Sequence, residues 1–137
     1  MELSEFINQN LGKKVDFDGV NGPTCVDLFR AYNRDVNDYP RTEGLGIDGG
    51  AKDLFLKYDS MPIEKQYYAR FTAEPACGDI VVFDGHRGNK YGHVAIYIST
   101  LSNGKLLVFE QDGIKQDGAK FAIWDTKRVL GYLAPKF

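Results

Sequence analysis

Gly78-Asp79-Ile80-Val81-Val82-Phe83 is the stretch on which the fold turns. Its apolar run, bounded by Gly78 and by the turn-rich segment Gly85 to Gly92, reads as a β-strand. Four further runs follow it: Val94 to Ile98, Leu106 to Phe109, Phe121 to Trp124 and Val129 to Leu133. Ser102-Asn103-Gly104 and Asp112-Gly113 supply turns between them, so the second half of the chain reads as an antiparallel meander. The first half has helical spacing instead. Leu3, Phe6 and Ile7 predict a short amphipathic helix over Leu3 to Asn10, with Gly12 just past its end as a cap. Val26, Leu28, Phe29, Ala31 and Tyr32 fall on one stripe of a helix from Cys25 to about Val36, with Thr24 as N-cap. A loop rich in turn formers runs from Asp38 to Gly50, and a short helix is expected over Ala51 to Tyr58. The glycines at 44, 46, 49 and 50 read as turn chemistry, because no strand precedes them and no Lys-Ser/Thr follows at P-loop spacing. Helices first and strands afterwards predict an α+β protein, with N-terminal helices packed on an antiparallel sheet of five or six strands.

At 137 residues the chain has room for one domain with its own core, expected to span 1–137. A composition that is 43% hydrophobic and 26% charged is that of a folded protein, and a formal net charge of -2 without a Lys/Arg-rich block argues against nucleic acid as a partner. Two cysteines are too few for a disulfide-dependent scaffold, so both are expected to be free. The start, Met1-Glu2-Leu3-Ser4-Glu5-Phe6, has no basic segment followed by an apolar one, and no stretch nears the ~18 apolar residues of a membrane span. The expectation is a soluble protein with no export signal of its own and no membrane partner.

Cys25 opens its helix, which aims the sulfur at unpaired backbone N–H groups and at the positive end of the macrodipole. That environment favours the thiolate, the form in which cysteine attacks. Cys77 has no such setting and reads as a small buried hydrophobe. His86 lies in a Gly/Arg/Asn-rich turn and reads as solvated. His93 follows Gly92 at the entry to an apolar strand, where it is either a satisfied structural histidine or a catalytic base. Pairing of Val94–Ile98 with Leu106–Phe109 would bring the start of the first strand beside the end of the second, making His93 and Glu110 neighbours. A carboxylate holding one ring nitrogen while the other faces Cys25 is the nucleophile–base–orienter arrangement of cysteine and serine hydrolases. The alternative for Glu110 is a surface ion pair.

Asp16-Phe17-Asp18-Gly19-Val20-Asn21-Gly22 precedes the cysteine. Counting Asp16 as position 1 puts Asp18 at 3, Val20 at 5, Gly22 at 7 and Asp27 at 12, the ligand spacing of an EF-hand loop. Val20 offers no side-chain ligand and Asn21 stands where an EF-hand has glycine, so the segment is not an EF-hand. A calcium loop using the carbonyls of Val20 and Gly22 remains compatible, against the alternative of a solvated turn.

These motifs in this order resemble the CHAP family of papain-like amidohydrolases and peptidases, found in phage endolysins, tail-associated lysins and bacterial autolysins. The resemblance runs from Asp16 to about Leu133. It rests on Asp16-x-Asp18 before Gly22-Pro23-Thr24-Cys25-Val26-Asp27, on Gly78 to Phe83, on Tyr91-Gly92-His93-Val94-Ala95-Ile96, and on Phe109-Glu110-Gln111-Asp112. It implies Cys25 as nucleophile, His93 as general base and acid, and Glu110 as the group orienting the ring. It implies a structural calcium held by Asp16, Asp18, Asp27 and the carbonyls of Val20 and Gly22. Asp112 stands where many members carry Asn, and an Asp cannot offer the amide donor. The implied activity is hydrolysis of an amide bond of bacterial peptidoglycan, as an endopeptidase or alternatively an N-acetylmuramoyl-L-alanine amidase. A non-catalytic calcium-dependent wall-binding module is the rival from another class. The resemblance further implies a monomer made in the host cytoplasm and acting at the cell wall, through holin release or within a virion, with a separate wall-binding domain or virion protein as partner.

Overall fold

The computed structural model describes residues 1–19, 22–40 and 50–137. Helix α1 spans Leu3–Asn10 and buries Phe6, with Gly12 beyond its end at φ +81°. Helix α2 spans Cys25–Asp35 behind Thr24, whose hydroxyl accepts from the Asp27 N–H. The expected helix over Ala51 to Tyr58 is broken into a 3-10 turn at Gly50–Lys52, helix α3 at Asp53–Leu56 and another 3-10 turn at Tyr58–Ser60. Pro62 then opens α4, Pro62–Tyr67, which runs directly into strand β1, Tyr68–Phe71. Most of the predicted loop from Asp38 to Gly50 lies outside the described residues.

The remaining strands are β2 (Ile80–Phe83), β3 (His93–Thr100), β4 (Leu106–Glu110), β5 (Lys120–Trp124) and β6 (Val129–Pro135). Together with β1 they form one six-stranded sheet of order β1-β6-β2-β3-β4-β5, every neighbouring pair antiparallel. The meander read from the sequence holds from β2 to β5, but β6 returns to pair with β2. The reason is the burial of β2, whose four residues are all inaccessible. A strand apolar on both faces is stable only with a neighbour on each side and cover above and below.

Cover on one face comes from the helices. Phe6, Leu28, Phe29 and Tyr32 pack with Ile80, Val82, Val94, Ile96 and Phe109. On the other face Val81, Phe83, Ala95, Tyr97, Leu106, Val108 and Tyr132 form a second core made of sheet residues alone. The sheet curls to close it: the rings of Phe83 on β2 and Trp124 on β5 lie 5.0 Å apart although two strands separate them. Three flat inter-strand spacings would amount to roughly 14 Å. Helix α2 packs across β3, which sets the start of the helix beside the start of the strand. Among the described residues no helix is long and apolar enough to cross a membrane.

Candidate active site

The start of α2 is held by a reciprocal cap. Thr24 Oγ1 accepts from the Asp27 N–H at 3.4 Å, and Asp27 Oδ2 accepts from the Thr24 N–H at 3.0 Å and from its hydroxyl at 3.2 Å. Two backbone donors are satisfied in this way, fixing the two residues between them, Cys25 and Val26. The N–H groups of Cys25 and Val26 are the helix-start donors that this cap does not use.

His93 begins β3 because Gly92 lets the chain arrive there. Gly92 has φ +74°, and a Cβ on it would lie 2.4 Å from the Phe83 carbonyl oxygen. The strand β3–β4 register pairs Ile96 with Phe109, so its continuation sets Glu110 opposite Ala95 and diagonal to His93 on the same face. His93 Nε2 meets Glu110 Oε1 at 3.1 Å, both residues being buried. With Nε2 engaged, Nδ1 is the nitrogen left for Cys25, which lies near enough to the ring to interact with it. Burial works against charge on this imidazole, but the Cys25 sulfur and the Glu110 carboxylate outweigh it and push its pKa up to about 10. The ring therefore keeps its proton at neutral pH, beside Cys25 and Glu110.

Two side chains that the sequence reading left without a role complete the geometry. Trp124 donates its indole N–H to Glu110 Oε1, the same oxygen that His93 uses. Its ring lies 5.2 Å from the imidazole at 30°. Gln111, wholly buried, accepts from the Val15 N–H at 2.8 Å. Its amide nitrogen donates to the Val15 carbonyl at 2.6 Å and to the Thr24 carbonyl at 2.8 Å. One glutamine next to Glu110 thus ties the residue before Asp16 and the residue before Cys25 to the end of β4. No sequence signal marks either role, since both depend on partners nearly a hundred residues away or on sheet curvature.

Asp16, Asp18 and Asp27 converge, each offering a carboxylate oxygen within 4.8 Å of the others. Asp18 Oδ2 also accepts from Arg30 Nη1 at 3.0 Å. Burial, with the charges of Asp18 and Asp16 adding to it, raises the Asp27 pKa against the Thr24 hydrogen bonds. Such a set of crowded, hard oxygen donors suits a cation like calcium. Gly22 is described, at φ +73°, and Val20 lies outside the described residues.

The family model described as CHAP domain matches residues 15–112, from the strand-tethered Val15 to Asp112. The chain belongs to the CHAP family. This CHAP chain is 28% identical over 145 residues to Endolysin PlyTW of Staphylococcus phage Twort, an alignment covering 99% of the chain and 30% of that protein. It superposes on the wild-type endolysin LysIME-EF1 with a TM-score of 0.70 at 21% identity, covering 100% of this chain and 65% of that one. On Ly7917 the TM-score is 0.66 at 20% identity, with coverage of 98% and 62%. At such identities the likeness establishes the shared α+β fold. The CHAP chain spans less than a third of the curated relative's length and just under two thirds of these solved chains.

The other candidates of the CHAP chain lie as follows. Asp112 borders the same cleft as His93, and its Oδ1 accepts from the Ile114 and Lys115 N–H groups at 2.8 and 3.3 Å, closing the turn after β4. His86 is exposed on the cleft rim and accepts at Nδ1 from the Gly88 N–H. Both cysteines are free, but Cys77 is exposed rather than buried. It sits one residue before Gly78, whose φ of +97° and carbonyl bond to the Tyr32 hydroxyl turn the backbone into β2 and leave the Cys77 side chain outside.

Proposed function

We propose that this CHAP chain hydrolyses an amide bond of bacterial peptidoglycan by thiolate attack, with a peptide bond of the stem or cross-bridge as its target. The observation that carries the reading is the His93 imidazole bonded to the buried Glu110, with Cys25 at a helix start near enough to act on the same ring. The wall as substrate follows from the family and from the endolysin to which the chain is similar. Cys25 Sγ attacks the carbonyl carbon, and the N–H groups of Cys25 and Val26 face the oxyanion that forms. His93 gives its proton to the departing amine, leaving a thioester on Cys25. The neutral imidazole then takes a proton from water, which attacks the thioester and releases the acid. Glu110 keeps the ring turned with Nδ1 toward sulfur and stabilises its charged form. Asp112, already engaged in its turn, is proposed to shape the cleft edge beside His93.

Calcium belongs to the same proposal as a structural ion. Asp16, Asp18 and Asp27 would hold it, joined by the carbonyls of Val20 and Gly22, and the ion would offset the mutual repulsion of the three carboxylates, an offset to which the Arg30–Asp18 pair already contributes. Asp27 caps the helix that carries Cys25, so the ion would brace the nucleophile and take no part in bond cleavage.

Digestion of purified peptidoglycan followed by mass spectrometry tests the proposal. New N-terminal amines in soluble fragments are expected from the parent protein and none from Cys25→Ala. Freed muramoyl lactyl groups would assign the amidase bond instead. Retention of protein on walls with no soluble product, identical for parent and variant, would mean a binding module and overturn the reading.

A further inference from the structure

We propose that Trp124 is a positioning residue of this site, holding the Glu110 carboxylate through its indole N–H and the His93 imidazole through its ring face. The inference rests on the catalytic roles proposed above for His93 and Glu110. Glu110 ends β4, and a carboxylate on a strand end with one partner can rotate about its last torsion. Here one oxygen receives donors from both flanking strands, His93 on β3 and Trp124 on β5. Turning away would break both bonds, and each is a charge-assisted bond of the stronger kind. An indole nitrogen donates and never accepts, so Trp124 supports Glu110 only as an acceptor, the form that also stabilises the imidazolium.

The strand pattern explains how the indole reaches so far. In β5 Phe121 and Ile123 are exposed, while Ala122 and Trp124 point to the other face. Trp124 pairs with Leu106, and Glu110 pairs with Lys120, four positions along. The small side chain of Ala122 leaves space for the indole to lie along the sheet toward Glu110. Phe83 backs it at 5.0 Å, and His93 lies 5.7 Å from Phe83, so three rings pack mutually at tilted angles of 30° to 36°. Aromatic packing of this kind adds to the burial energy, and an imidazolium gains further from the electron-rich indole face. The other titratable or charged groups nearby are Cys25 on α2 and, lining the same cleft as the imidazole, Asp84 and His86 after β2, Asp112 after β4 and Arg128 before β6.

Trp124→Phe keeps a ring and removes the donor. The expected result is kcat lower by about tenfold, short of the ~10²-fold that an ångström of misplacement can cost, with KM changed less than twofold. The alkaline limb of the pH–rate profile should move to lower pH as Glu110 loosens its hold on the imidazolium. Parent kcat and an unmoved alkaline limb in a variant folded by circular dichroism would overturn the proposal. So would a raised KM at constant kcat, which would make Trp124 a substrate contact. A second measurement needs no variant. Trp124 is the chain's one tryptophan, and a protonated imidazole against an indole quenches its emission. Parent fluorescence should rise with the midpoint of the alkaline limb, and the step should vanish in His93→Gln. No step in the parent would overturn the ring contact. Because the emission titration uses no peptidoglycan, it stands or falls separately from the substrate assignment.

Discussion

Replacing Gln111 with Met keeps the volume and removes every hydrogen bond of the carboxamide. Three backbone groups lose their partner: the Val15 N–H, the Val15 carbonyl and the Thr24 carbonyl. The Thr24 carbonyl has one other donor, the Leu28 N–H at a long 3.4 Å. Stranding a buried polar group costs about 1–3 kcal/mol. Val15 and Thr24 are half-buried and can recover some water, so the low end applies, about 3 kcal/mol for the three groups together. That is a large share of the ~5–15 kcal/mol of a typical domain and corresponds to a Tm lower by about 10 °C. The damage should also be local. Val15 adjoins the first carboxylate of the acidic cluster and Thr24 adjoins Cys25, so kcat of the folded variant should fall as well. Urea unfolding gives the stability and single-turnover hydrolysis gives the activity. A loss below about 1 kcal/mol with parent kcat would refute the claim that Gln111 ties the nucleophile helix to β4.

The His93 pKa, raised from 6.5 to about 10, makes folding stability depend on pH. The folded state holds a proton that the unfolded state has lost, so the contribution is complete below pH 6.5 and disappears as pH rises through about 10. Urea midpoints across that range should fall in the parent and fall less in Glu110→Gln, whose kcat should drop at least about 10²-fold. Chelation with EDTA should lower both Tm and activity, with calcium restoring them, by about 2.7 kcal/mol if the site was hundredfold saturated. Asp16→Ala should abolish that response, and an unchanged parent Tm in EDTA would remove calcium from the account.

Much of this was legible in the sequence because it was local. Helix α2, its Thr24 cap and the first four strands of the β-rich half follow from spacing and turn residues within a few positions. The juxtaposition of His93 with Glu110 was readable because a hairpin makes them neighbours through Ser102-Asn103-Gly104. What escaped depended on distant parts of the chain. The return of β6 to β2 is decided by two-sided burial of Ile80–Phe83, which no short window displays. Trp124 reaches Glu110 because the sheet curls, and Gln111 reaches Val15 across 96 positions. Strand β1 was missed because Tyr68–Phe71 follows α4 without a turn, its extended form imposed by pairing with β6. Cys77 came out exposed because Gly78 turns the backbone just before β2.

The proposed mechanism requires His93 to keep Cys25 as a reactive thiolate, and Cys77, free and exposed, is its internal control. Limiting iodoacetamide at pH 6, followed by peptide mapping and assay of wall hydrolysis, tests it most directly. The account predicts that Cys25 is alkylated well before Cys77 and that activity is lost in proportion to Cys25 labelling. Faster labelling of Cys77, or hydrolysis that survives complete alkylation of Cys25, would contradict it.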